Sequence, residues 1–246
     1  MLFRSSAVTN QLWESSFSAG YNQLDGLRVS ADEDGLRLGL DGVFDQRANN
    51  VALLLDLDYG EGTGFDLDVA DLADGTGTAD LALSALAVRP DLAGLGFDVA
   101  VLAYHAREST LPQNGSDEGG LRGIAGIFGD PTDFFWYGSV VNMDDGNVAM
   151  WGDAAPDAAD PGLTEGGLEA QLPWSNLFPT GIPSTGLRIA VVAVLYNDDG
   201  TWISNQLLPP GPSDVETGGG ELAVASVVVV EVDGTGALAG TPWVDF

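Results

Sequence analysis

The chain has 246 residues with 37 acidic and 8 basic side chains, a formal net charge of -29, one histidine and no cysteine. A surface this acidic repels polyanions, which argues against nucleic acid and anionic membranes as partners. The missing cysteines exclude disulfide, iron-sulfur, thiolate-zinc and thiol-nucleophile chemistry.

At 45% hydrophobic the chain can bury a large core, and with no run of about 18 apolar residues nothing is expected to insert in a membrane. The acidity fits a habitat rich in salt or divalent cations, where self-repulsion is screened. Glycine-rich composition suggests an extracellular or cell-surface protein, although Met1 to Ser5 lacks the apolar core of a signal peptide, so either a leader is missing from this chain or the protein is not exported.

In chain order, Leu27, Val29 and Ala31 alternate with Arg28 and Ser30, and Leu36, Leu38 and Leu40 alternate with Arg37 and Gly39. With the turn Asp32-Glu33-Asp34-Gly35 between them, they predict a β-hairpin with one wet face. Val51 to Leu57 is apolar on both pleat faces except at Asp56, which predicts a central strand between two layers. The stretch from Asp66 to Pro90 reads as a short helix or an irregular connection, since Asp80 to Ala87 has high helix propensity.

Phe97 to Tyr104 predicts another buried strand, and residues 107 to 132 a polar excursion. Phe134 to Tyr137 is an aromatic strand. Val140 to Met143 and Val148 to Trp151 predict a second hairpin, and 153 to 166 a surface loop. Leu168 to Leu172 is a strand running into a helical turn at Pro173 to Phe178. Leu187 to Tyr196 is a second long apolar strand, turned back at Asn197 to Gly200 into Thr201 to Ser204; 209 to 220 is loop, and Ala223 to Val232 a last strand.

Short strands separated by turns, few helices and no repeat period predict an all-β fold, a two-sheet antiparallel β-sandwich with long loops and at most short helices. The span 1-246 reads as one domain, its core about residues 20 to 232.

Three stretches carry a family resemblance: Asn22-Gln23-Leu24-Asp25-Gly26-Leu27 with its hairpin, Val51 to Gly64, and Glu169-Ala170-Gln171-Leu172-Pro173-Trp174-Ser175-Asn176-Leu177. Together they resemble the β-sandwich superfamily that includes family nine carbohydrate-binding modules, DOMON-like domains and the glucodextranase C-terminal domain. The resemblance implies a secreted module that binds sugar or haem and is appended to enzymes or surface proteins. Met143, Met150 and His105 make poor haem ligands. His105 is in pleat register with Val99, Val101 and Ala103, which fits a strand-end histidine satisfied by its surroundings.

Catalysis finds little support, because one histidine with no lysine or cysteine leaves few base-activated nucleophiles, and no nucleophile elbow, zinc pair or phosphate loop occurs. The chain is expected not to be an enzyme. Asp56, Asp58, Glu61, Asp66 and Asp68 crowd a loop loosened by Gly60, Gly62 and Gly64. They either cap solvated turns or hold a hard cation such as Ca2+, which takes six to eight oxygens. The spacing matches neither an EF-hand nor a repeated calcium nonapeptide.

Trp136, Tyr137, Trp151 and Trp202 are the candidate ligand-binding residues, with Trp174 beside another turn. Each ring either packs in the core or stacks on a neutral glycan. The expected function is a carbohydrate-binding accessory module, probed against a rival, a structural subunit that self-associates into an extracellular layer or filament.

Overall fold

The computed structural model describes residues 7-12, 23-45, 49-62, 84, 86-89, 92, 94-105, 121-122, 125-127, 134-136, 148-152, 163-178, 180-197, 203-210 and 222-245. Two antiparallel sheets pack face to face, as the hydrophobic pattern predicts. The five-stranded sheet runs β1 (Ala7–Asn10), β2 (Gln23–Asp32), β3 (Gly35–Asp45), β11 (Leu163–Pro173) and β10 (Val148–Gly152).

The second sheet has seven strands. Its main path is β16 (Trp243–Asp245), β15 (Val227–Val232), β12 (Leu187–Asn197), β4 (Asn49–Asp56), β6 (Val99–His105) and β7 (Leu121–Arg122), with β13 (Ile203–Leu208) also paired to β12. Two small ladders complete the set. In one, β14 (Leu222–Val224) runs parallel to β5 (Leu86–Val88); in the other, β8 (Ala125–Ile127) is antiparallel to β9 (Phe134–Trp136).

The hairpin of β2 and β3 forms because its apolar residues alternate. Leu27, Val29, Leu36, Leu38 and Leu40 all face the core between the sheets. Asp32 closes the turn, its Oδ1 accepting the backbone N–H of Asp34 at 3.0 Å and of Gly35 at 3.3 Å, an Asx-turn that leaves only Glu33 and Asp34 outside the ladder. The other face is less wet than the alternation predicts. Arg28 pairs with Asp41 and Arg37 with Asp32 across it, and Ser30 is buried.

Val51 to Asp56 of β4 and Ile189 to Tyr196 of β12, in the middle of the seven-stranded sheet, are buried on both pleat faces. Val51, Leu53 and Leu55 of β4 join Ile189, Val191 and Leu195 of β12 in the core between the sheets, while Ala52 and Leu54 join Ala190, Val192, Val194 and Tyr196 in a second core. That second core is roofed by Leu86, Leu92 and Phe97 from one stretch of chain and by Leu222 and Val224 from another. A third layer therefore covers the sandwich, which explains why β4 and β12 are apolar on both pleat faces.

Several boundaries differ from expectation. The stretch expected as a short helix or an irregular connection up to Pro90 contains β5, whose partner is the distant β14. The polar excursion 107 to 132 contains β7 and β8, and the loop expected to reach residue 166 yields at Leu163 to β11. β10 pairs with β11, and Val140 to Met143, the other half of the expected second hairpin, lie outside the described residues. The expected strand to Val232 is broken at Ala225-Ser226, between β14 and β15.

The helical turn forms where the sequence places it, as α1 (Trp174–Leu177), with the Phe178 N–H donating to the Trp174 carbonyl at 2.7 Å. Trp174 is not a surface platform. It is buried in the inter-sheet core, its indole N–H donating to the Asp32 carbonyl at 2.6 Å.

Candidate metal centre

β4 ends at Asp56, and the antiparallel register with β6 sets Leu55 opposite Val99, so that Asp98 arrives beside Asp56 just before β6 begins. The Asp98 N–H donates to the Leu55 carbonyl at 2.8 Å, fixing the backbone, while its Oδ2 accepts the Leu57 N–H at 2.7 Å. Asp56 accepts the Asp58 N–H on Oδ1 at 3.0 Å and the Gly96 N–H on Oδ2 at 2.9 Å. The two carboxylates therefore lock the end of one strand to the start of its neighbour.

Asp56, Asp58 and Asp98 each bring a carboxylate oxygen to within 4.8 Å of the others. Asp56 is fully buried and Asp98 is 8% exposed. Burial pushes Asp56 up to about 7 against the pull of its two backbone hydrogen bonds, and the charges of Asp98 and Asp58 add to the rise. Burial likewise raises Asp98 to about 6, with the Leu57 hydrogen bond pulling it down and Asp58 adding to the rise. Carboxylates this close repel one another, and a proton or a cation between them would relieve that repulsion.

The loop beyond is built by glycines. Gly60 and Gly62 have φ of 109° and 71°, in the left-handed region, and both donate their N–H to the Gly94 carbonyl, at 3.0 and 3.2 Å. The second loop, carrying Gly94 and Gly96, is thereby tied against the first. Tyr59 anchors the far side, its N–H donating to the Arg188 carbonyl at 3.0 Å and its hydroxyl to Asp245 Oδ2 at 2.9 Å. The Arg188 guanidinium lies 5.9 Å from the centre of the Tyr59 ring. Burial, then the bond to Asp245, pushes the Tyr59 phenol up to about 12.

Of the five carboxylates expected at a cation, the structure brings together Asp56 and Asp58. Glu61 is exposed on the loop and stands outside the cluster, and Asp66 and Asp68 lie outside the described residues. The third member, Asp98, is one that sequence reasoning missed. Its signal was there, a lone acid at the head of the apolar run Phe97 to Tyr104, but only the register with β4 gives it a partner.

The two aromatic candidates among the described residues, Trp136 and Trp151, do not lie on neighbouring strands. Trp136 ends β9 opposite Ala125, whereas Trp151 lies on the edge strand β10 opposite Gly167, in a different sheet. Tyr137 and Trp202 lie outside the described residues. Among the described residues no helix is long and apolar enough to cross a membrane. Comparison with known proteins finds no matching family model, no matching curated protein and no matching solved structure.

Proposed function

We propose that this chain is a non-enzymatic, extracellular β-sandwich module of the carbohydrate-binding kind, held in its working form by a calcium ion at Asp56, Asp58 and Asp98. The observation that carries the cation is the approach of three carboxylates to within 4.8 Å at a buried strand end. An all-oxygen set suits a hard cation, and calcium accepts the irregular geometry of two strand ends and a loop more readily than magnesium, which demands a near-ideal octahedron. Water and backbone carbonyls would complete the six to eight ligands.

The test is thermal unfolding near pH 8 in chelator and in about 10 mM calcium, well above the weak affinities of extracellular sites. Calcium should raise Tm by on the order of 5 °C, and Asp56→Asn should abolish the rise. In chelator, Asp56→Asn should be less stable than the parent by about 1 to 3 kcal/mol, because the amide keeps one acceptor oxygen and turns its NH2 toward the N–H of Asp58 or Gly96. An unchanged Tm in the parent, or an undiminished rise in the variant, defeats the calcium site.

The ligand class rests on the resemblance and on charge. A surface at -29 disfavours acidic polysaccharides, so neutral glycans stacked on Trp151 or Trp202, or on Trp136 and Tyr137, are the expected partners. Affinity electrophoresis over a panel of neutral glycans should show weak retardation that added salt leaves intact, and Trp151→Ala with Trp202→Ala should weaken it. If no glycan retards the parent and its sedimentation shows concentration-dependent assembly, the chain is instead a structural subunit.

A further inference from the structure

β16 lies at one edge of the seven-stranded sheet. Three residues long, it pairs among the described residues only with Val227 to Val229 at the start of β15, and Trp243 is 36% exposed. It follows the irregular stretch from Asp233 to Pro242. The side chain of Asp245 nevertheless reaches the Tyr59 hydroxyl, 2.9 Å away and 186 residues earlier in the chain.

Tyr59 immediately follows Asp58, and its neighbour Gly60 donates to Gly94 two residues before Gly96, the donor to Asp56. Asp56 and Arg188 both act electrostatically on the phenol. The Arg188 guanidinium also fills the space beside Gly60, where a Cβ would come within 2.9 Å of its Nη2. From β16 to the carboxylate cluster there runs a path of three hydrogen bonds joined along the backbone: Asp245 to Tyr59, Gly60 to Gly94, and Gly96 to Asp56.

We propose that β16 is a strap across the loop Asp58 to Gly62, and that strap and loop open as one unit, admitting and releasing the occupant of the Asp56, Asp58 and Asp98 cluster. The strap's service to a cation rests on the calcium reading above; its coupling to the loop does not. A local unit of this kind opens at a cost below that of global unfolding, because it holds few buried apolar contacts, and what stabilises one half must stabilise the other.

Amide hydrogen exchange in chelator tests the coupling without any cation. In Tyr59→Phe, which keeps the ring and removes only the hydroxyl, exchange should quicken roughly ten-fold, the worth of one hydrogen bond to a charged group. The quickening should appear together at Gly60 and Gly62 in the loop and at the β15 and β16 amides of the Val227 to Val229 ladder. Phe178 and Gly181, whose N–H groups bond near α1 at the Trp174 and Phe178 carbonyls, should exchange as in the parent. Asp245→Asn should reproduce the pattern in weaker form. Quickening on one side alone, or at every amide including Phe178 and Gly181, overturns the strap. A calcium failure with the coupled pattern intact would remove the cation and leave the strap standing.

Discussion

In chelator, the unfolding free energy should fall by about 3 kcal/mol as the pH is raised from about 5 to about 8. The sign follows from Asp56 and Asp98, whose folded values of about 7 and about 6 stand above the ordinary 3.8. Between those limits the folded state holds protons that the unfolded chain has released, so stability is fully present below about pH 4 and is lost as the pH passes through 6 and 7. Because the two acids are coupled, the slope belongs to the pair. Denaturant titrations at several pH values should show it, and Asp56→Asn with Asp98→Asn should flatten it, leaving whatever slope the net charge alone produces. Calcium, by displacing the shared proton, should also flatten it. A parent no more pH-dependent than the double variant would mean that the cluster is open to solvent.

Leu53→Ala and Leu54→Ala should each cost about 3 kcal/mol, although the two side chains point to opposite faces of the same strand. Leu53 packs in the core between the sheets and Leu54 in the core under the third layer, and neither is more than 1% exposed. In a two-layer sandwich with a wet outer face, one of these substitutions would change stability by less than about 0.5 kcal/mol. Equal losses in urea denaturation support the third layer. A silent Leu54→Ala would remove it.

The parts of the fold legible in the sequence are those whose cause is local. The hairpin of β2 and β3 follows from alternation around an Asx-turn, β4 and β12 from apolar runs too long for a one-faced sheet, and α1 from the proline that ends β11 and the tryptophan after it. The parts that were not legible depend on a distant partner. Gly166 reads as loop, yet it lies opposite Gly42 inside an eleven-residue ladder. Ala87 reads as part of a short helix or an irregular connection until β14 arrives beside it in parallel.

The candidate site divides in the same way. Asp56 and Asp58 share a pleat face within one strand end, which spacing alone reveals. Glu61 was grouped with them by nearness in sequence, but the left-handed glycines on either side of it carry the loop out to solvent. Asp98 was omitted for the complementary reason, being 40 residues from Asp58 in number but adjacent in space through the register of β4 and β6.

Both large sheets join the beginning of the chain to its end, with Leu40 beside Leu168 and Asp56 beside Ala190. During synthesis at about 5 to 20 residues per second, β3 and β4 therefore wait on the order of ten seconds for the strands that will cover their edges. An apolar strand with two open edges is the kind of segment that joins strands from other chains. The 37 acidic side chains against 8 basic ones give every emerging copy the same sign of charge, which opposes such joining at low ionic strength.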